Sequence, residues 1–360
     1  MAPTESVWPD GITFESCSSS LGLGSEVELI GAEIASPCDA FRSDRLGLTH
    51  RSIRAKALSH MRMFFDLTKG GIVSFVLVTG AAGYAMSMDL EVPVSLAHFV
   101  TSLAALFFLS AGSFALNQAQ EAGLDLKMPR TQRRPIPAGR VSVTQAWILG
   151  VGFVLLGALA SVLINTTVLA LGLATVFLYN VTYTMWWKRK WAFGAVPGAI
   201  PGAMPVLIGY AANDENIWSA EPMYLFLIMF LWQMPHFWSL AIRFRDDYER
   251  GGIPVLPAVL GTERTLYHMA LYLLAYVATA AMAPWFTSAR WAHLVLVWPL
   301  AFWVFYQFVL FYKSVVEKHE RSRWLPFFLW TNLSVLVFLA APVLDRWTMH
   351  WMALATWGGE

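Results

Sequence analysis

Asn117, Glu121 and Asp125 stand four residues apart. On a helix that spacing places them along one face. Two carboxylates and a carboxamide on one face make a hard-oxygen site. Such a site suits Mg²⁺, which takes a few carboxylates and completes its shell with substrate phosphates. Pro129 predicts the end of that helix. Arg130, Arg133 and Arg134 follow at once, and the guanidinium fork matches phosphate oxygens. A second segment repeats the theme, with Arg243, Arg245, Asp246, Asp247, Glu249 and Arg250 running into Gly251, Gly252 and Pro254. Two acid clusters at one surface could each hold a Mg²⁺ on one diphosphate, neutralising charge on a departing pyrophosphate. The plainer alternative is that acids and bases at helix ends form solvated loop faces. Two such segments, each joined to a Pro or Gly break, favour the site, and a lipid-tailed diphosphate is the substrate they fit.

Three other features carry chemistry less directly. His236 follows Pro235 inside an apolar run. An ionisable group there is a functional candidate, against a core histidine bonded to the carbonyl that Pro235 frees or to a nearby hydroxyl. Lys188, Arg189 and Lys190 follow Trp186 and Trp187, as an aromatic belt with snorkelling bases or as a phosphate site. Gly194, Gly198, Gly202 and Gly209 fit close helix packing better than ligand contact.

The elements that position these residues must cross a membrane. Of 360 residues, 57% are apolar and only 14% charged, where a soluble domain carries about 25% charge. That excludes a soluble enzyme and a disordered chain. Runs without Asp, Glu, Lys or Arg cover 72–88, 92–120, 141–187, 191–213, 222–242, 265–289, 291–312 and 324–344. A spanning helix needs about 20 apolar residues. The third run is long enough for two, with a polar break at Asn165, Thr166 and Thr167. The expected class is therefore all-α and polytopic, with nine transmembrane helices. The runs do not alternate as barrel strands do.

Of the 25 basic residues, 23 fall in the N-terminal arm and the loops after the second, fourth, sixth and eighth spans; Arg290 and Arg346 lie on the other side. The positive-inside rule then places the N-terminus in the cytoplasm and the C-terminus outside. Residues 1–41 hold seven acids and no Lys or Arg, unlike a transit or signal peptide. The expected organisation is a flexible extension over 1–62, a membrane domain over 63–347 and a short external tail over 348–360. Basic residues from Arg42 to Lys69 are expected at the anionic membrane surface. Cys17 and Cys38 lie in the extension and mark neither a disulfide framework nor a metal cage. A net charge of +1 gives no reason to expect a nucleic-acid partner.

The first segment, from Asn117 and Gln118 through Glu121, Asp125, Met128, Arg130 and Thr131 to Arg134 and Pro135, resembles the UbiA-type intramembrane prenyltransferases. A fuller set is similar to the branch of that family that farnesylates haem. It adds Leu67 to Val73, Tyr183 and Thr184 with Lys188 and Arg189, Pro235 to Trp238, and Asp246 to Tyr248 through Gly252 and Pro254 to Pro257. The likeness covers about residues 65–345. Glu121 stands where many relatives have Asp, Gly70 where they often have Pro, and Gln233 with Met234 where Thr-Pro is common.

This resemblance implies a central cavity capped by the two acid-bearing loops. Its implied substrates are farnesyl diphosphate and haem b, giving haem O and pyrophosphate. Asn117, Glu121, Asp125, Asp246 and Asp247 would be catalytic, with Mg²⁺ on Asn117, Glu121, Asp125 and Asp247. Lys69, Arg130, Arg134, Lys188 and Arg245 would bind the diphosphate, and His236 would contact haem. The setting is a bacterial cell membrane, with a haem A synthase or a terminal oxidase as candidate assembly partners. Other readings stay open: prenylation of a quinone precursor or chlorophyllide, transport of a lipid or small anion, or a haem chaperone. Transporters place charge near the bilayer midplane and break their helices there, whereas here the charge gathers at one surface.

Overall fold

The computed structural model describes residues 50–317 and 323–357. Most of the expected extension, with Cys17 and Cys38, lies outside the described residues, as do the last three of the tail. Residues from 58 onward form one compact unit. Helix α1, His50–Leu67, takes in the last part of the expected extension.

No strand occurs among the described residues. The long helices are α2 (Gly70–Ser87), α3 (Leu96–Asp125), α4 (Val143–Val162), α5 (Thr166–Lys190), α6 (Ala195–Ala211) and α7 (Ala220–Arg243). After two short helices, α8 (Arg245–Arg250) and α9 (Leu256–Val259), come α10 (Thr262–Ala281), α11 (His293–Val316) and α12 (Trp324–Trp357). Each expected run falls on one of the long helices, except the third, which covers α4 and α5. Seven are long and apolar enough to cross a membrane. The other two are α6, with only 17 residues, and α10, which carries Glu263 and Arg264 in its first turn. The last helix continues to Trp357 through most of the expected tail.

The polar break in the long third run is a helix start. Asn165 caps α5, its Oδ1 accepting from the Val168 N–H at 2.8 Å. Its amide donates to the Ala211 carbonyl at 2.7 Å, tying the turn to α6. Asn at this position satisfies a backbone donor that apolar residues would leave orphaned.

Helix α3 packs along α4, α2 along α6, α6 on α7, and α7 on both α10 and α12. The ring closes where α12 returns to α2. Within lipid, burial of apolar surface gives little drive for helix association, so close van der Waals approach matters more. Gly209 shows this: a Cβ there would overlap the Gly80 carbonyl of α2. The C-terminal half is filled by large side chains, with Trp238, Tyr276, Phe311, Phe327 and Phe338 fully buried. Leu155 and Leu159 on α4 and Phe302 on α11 are exposed, a lipid-facing surface in keeping with the spans. The N-terminal half instead encloses a cavity.

Candidate active site

The site is built where three chain ends meet. Asn117, Glu121 and Asp125 lie on the inner face of α3, 1%, 3% and 0% exposed. The four-residue spacing therefore gives one face, as expected. The helix stops at Asp125 rather than at Pro129. The Thr131 hydroxyl donates to the Asp125 carbonyl at 2.9 Å, satisfying a backbone oxygen freed by the helix end. This early stop lets the chain fold back, so that Arg134 Nη1 donates to both Asp125 oxygens at 2.9 and 2.8 Å.

Two further bases arrive from other helices. Lys188, in the last turn of α5, donates to Glu121 Oε1 at 2.5 Å. Lys69 donates to Asn117 Oδ1 at 2.6 Å. It precedes α2 with φ 52° and ψ 53°, the sole non-glycine of positive φ among the described residues. An L-residue adopts that conformation at a cost of about 1 kcal/mol. Burial, then the Arg134 guanidinium, push the Lys69 ammonium down to about 7 against the pull of Glu121. An incoming anion would favour its charged form.

Thr184 fixes which end of Asn117 faces Lys69. Its hydroxyl donates to the Tyr179 carbonyl at 2.8 Å, committing its single proton. Its oxygen can then only accept, and it accepts from Asn117 Nδ2 at 3.1 Å. The Asn117 oxygen is thereby turned to the other side. The five-residue reach from Thr184 to Tyr179 exists because Leu178–Trp187 is π-helical, a geometry frequent at functional sites. The same turn stacks Tyr179 on Tyr183 with ring centroids 5.8 Å apart.

These groups close one end of a cavity of about 630 Å³. Lys69, Glu121, Asp125, Arg130, Arg134 and Lys188 line that end. Phe75, Leu109, Phe114, Ile208 and Phe237 make its walls largely apolar. His236 also faces it, its ring between Trp232 and Phe328 at 4.7 and 4.9 Å. Its Nδ1 is buried with no hydrogen-bond partner.

The second acid segment is placed differently. Arg245 pairs with Glu249 at 2.6 Å and Asp247 with Arg250 at 3.8 Å, both within α8. Asp246 is exposed, and neither acid nor Arg245 lines the cavity. Tyr248 and Ile253 line it instead. The Arg130 guanidinium lies 4.9 Å from the Phe244 ring and 5.7 Å from the Tyr248 ring. Thr184, Tyr183 and Tyr248, which the resemblance includes without a role, thus stand at the site, and so does Tyr179, which nothing in the sequence singled out. Asn180, Thr182 and Thr184 inside an apolar run were the available signal for the π turn.

Among the described residues, no three His, Cys, Asp or Glu side chains gather into a metal cage. Mg²⁺ needs none, since it commonly uses one or two carboxylates plus substrate phosphates. Glu121, Asp125 and the oriented Asn117 oxygen fit that donor chemistry.

Known proteins resemble this chain in sequence and fold. Residues 76–357 match the family model described as the UbiA prenyltransferase family. The chain is 50% identical over 287 residues to a Bdellovibrio bacteriovorus protein named protoheme IX farnesyltransferase, covering 80% of this chain and 97% of the relative. A Parvibaculum lavamentivorans protein of the same name is 40% identical over 220 residues, 60% of this chain and 67% of the relative. Among solved structures, one described for a digeranylgeranylglyceryl phosphate synthase in membranes matches with TM-score 0.63 at 16% identity, over 79% of this chain and 98% of that one. A UbiA homologue from Archaeoglobus fulgidus bound to GPP and Mg²⁺ matches with TM-score 0.57 at 19% identity, over 78% and 99%. At such identity the structures show the fold alone.

Proposed function

The chain belongs to the UbiA prenyltransferase family, and from that membership we propose that it transfers the farnesyl group of farnesyl diphosphate to a vinyl carbon of haem b. The products are haem O and pyrophosphate. The observation that carries this reading is the cluster of two buried acids and one buried amide with three half-buried bases at the end of an apolar cavity. A diphosphate fits the charged end and its isoprenoid chain the apolar walls.

Lys69, Arg134 and Lys188 hold the diphosphate oxygens, Arg134 and Lys188 leaving their carboxylates to do so. Glu121, Asp125 and Asn117 would hold Mg²⁺. When bound, the ion supplies Lewis-acid stabilisation of the leaving group. The C1–O bond breaks with its electron pair on pyrophosphate, and the fixed cations stabilise that charge as it forms. Tyr179, Tyr183 and Phe114 line the path of the allylic cation and keep water from it; their ring faces favour positive charge. The vinyl π pair forms the new bond to C1. Water adds to the cation left beside the macrocycle and loses a proton, giving a hydroxyethylfarnesyl group.

His236, whose side chain lines the cavity, contacts the haem iron or edge. The basic ends of the spans face the cytoplasm. Asp246 and Asp247 act from the second segment once substrates are bound. One assay tests the reading. Membranes carrying the protein receive haem b, Mg²⁺ and farnesyl diphosphate, and the pigments are separated by chromatography. Haem O is expected. Unchanged haem b with active protein would return the reaction to another prenyl acceptor.

A further inference from the structure

We propose that the groove beside the cavity mouth holds the propionate carboxylates of the haem substrate, with Arg133 and Arg130 as their partners. The proposal rests on the haem-farnesylating reading above. The groove measures about 500 Å³. It lies between the end of α1, the start of α2 and the turn that follows α3. Lys69, Arg130 and Arg134 face both it and the cavity, so the two spaces adjoin across the cation cluster.

The cations of this region divide into two groups. Lys69, Arg134 and Lys188 are engaged by Asn117, Asp125 and Glu121, and they serve the diphosphate. Arg133 lines the groove but not the cavity. It is exposed, and among the described residues its guanidinium has no carboxylate partner. Nor has Arg130, which stacks on Phe244 and Tyr248 and donates weakly to the Tyr248 hydroxyl at 3.5 Å. The one acid in the groove wall, Asp66, is turned to Arg140 at 3.8 Å. Two guanidiniums sharing a groove without a counter-ion attract anions, and the guanidinium fork matches a carboxylate in two-point contact.

The rest of the groove suits a porphyrin. Phe65 and Ile72 present exposed apolar surface beneath the basic rim, and Gly70 and Gly71 leave the α2 start without bulk. Haem b carries its vinyl and propionate groups on different edges of the macrocycle. A vinyl carbon brought to farnesyl C1 leaves the propionates on another edge of the ring. The groove shares Lys69 and Arg134 with the cavity and adds Arg133, which the cavity lacks, as a carboxylate partner. Arg133 is thus a positioning residue for the acceptor.

The test compares haem b with its propionate dimethyl ester in the full chain, reconstituted in phosphatidylcholine vesicles. Wild type should use haem b about fivefold better in kcat/KM, the worth of one partly exposed ion pair. Arg133→Ala should erase that preference by raising the KM for haem b, leaving the KM for farnesyl diphosphate unchanged. Arg133→Lys should keep part of it. Spectral titration of haem without farnesyl diphosphate should show the same ranking. Equal use of haem and ester by wild type would overturn the proposal, as would an equal loss on both acceptors in Arg133→Ala. An effect of Arg133→Ala that appears only in phosphatidylglycerol vesicles would assign the groove to a lipid phosphate instead. Farnesylation of the ester in any of these outcomes leaves the reaction itself standing, whereas farnesylation of neither acceptor overturns both.

Discussion

Two segments of this chain look alike in composition and behave differently in the fold. Residues 117–134 and 243–254 both mix acids with arginines at the end of an apolar helix. In the first, the acids stand on the inner face of α3 and each is paired with a base outside that helix. In the second, the acids sit on the six-residue α8, and the pairs they form are with neighbours three or four residues away. Local pairs of that kind are solvated and worth about 0.3–0.5 kcal/mol. Buried pairs are costly to break, because removing one partner leaves the other charge stranded. The contrast teaches that a charge cluster marks a helix end, whereas burial and non-local pairing mark the site.

The largest effect should come from Asp125→Ala, which strands Arg134 and removes a metal-site oxygen. Haem O formation should fall by about a hundredfold or more, with protein level and membrane insertion normal on immunoblots of membrane fractions. Full activity in the purified variant would sink the metal-site assignment. Asp247→Ala sharpens the comparison. Its loss should be smaller, about tenfold, because the side chain stands off the cavity wall. A loss equal to that of Asp125→Ala would erase the distinction and mean that α8 closes on bound substrate.

Thr184→Val comes next. Its effect should be a loss of about tenfold, the scale of one buried hydrogen bond to a metal ligand's orientation. The Mg²⁺ concentration needed for half-maximal rate should rise, and Thr184→Ser should restore it; chelation by EDTA should silence wild type. An unchanged Mg²⁺ requirement in Thr184→Val would release Asn117 from its assigned orientation. The smallest effect belongs to Arg245→Ala, less than about twofold on kcat/KM, because its guanidinium is spent on Glu249. A larger drop in that measurement would bring the second segment back to the diphosphate.

What could be read from sequence follows the same division. Hydrocarbon tolerates few charges, so charge-free runs find the long helices, and Asn165 marks the one break inside a run. Helical periodicity finds the face shared by Asn117, Glu121 and Asp125. Neither signal is non-local. Nothing in the order of residues says that α3 stops at Asp125 so that Arg134 can turn back, because Thr131 decides it by reaching the freed carbonyl. The π turn at Leu178–Trp187 escaped because a helix of either kind has the same composition. Tyr248 entered through the resemblance alone, without a role, because its acidic neighbours carry the stronger chemical signal, yet the short helix turns them outward and the ring inward.

The left-handed backbone at Lys69 has a consequence for anyone improving this protein. Glycine would adopt that conformation without strain, and it would not need to bury an ammonium group. A screen ranking variants by yield or thermal tolerance alone would therefore reward Lys69→Gly. The winning clone would be well behaved and catalytically poor. At this residue the demands of folding and of turnover select opposite amino acids, so any such campaign must score product at every round.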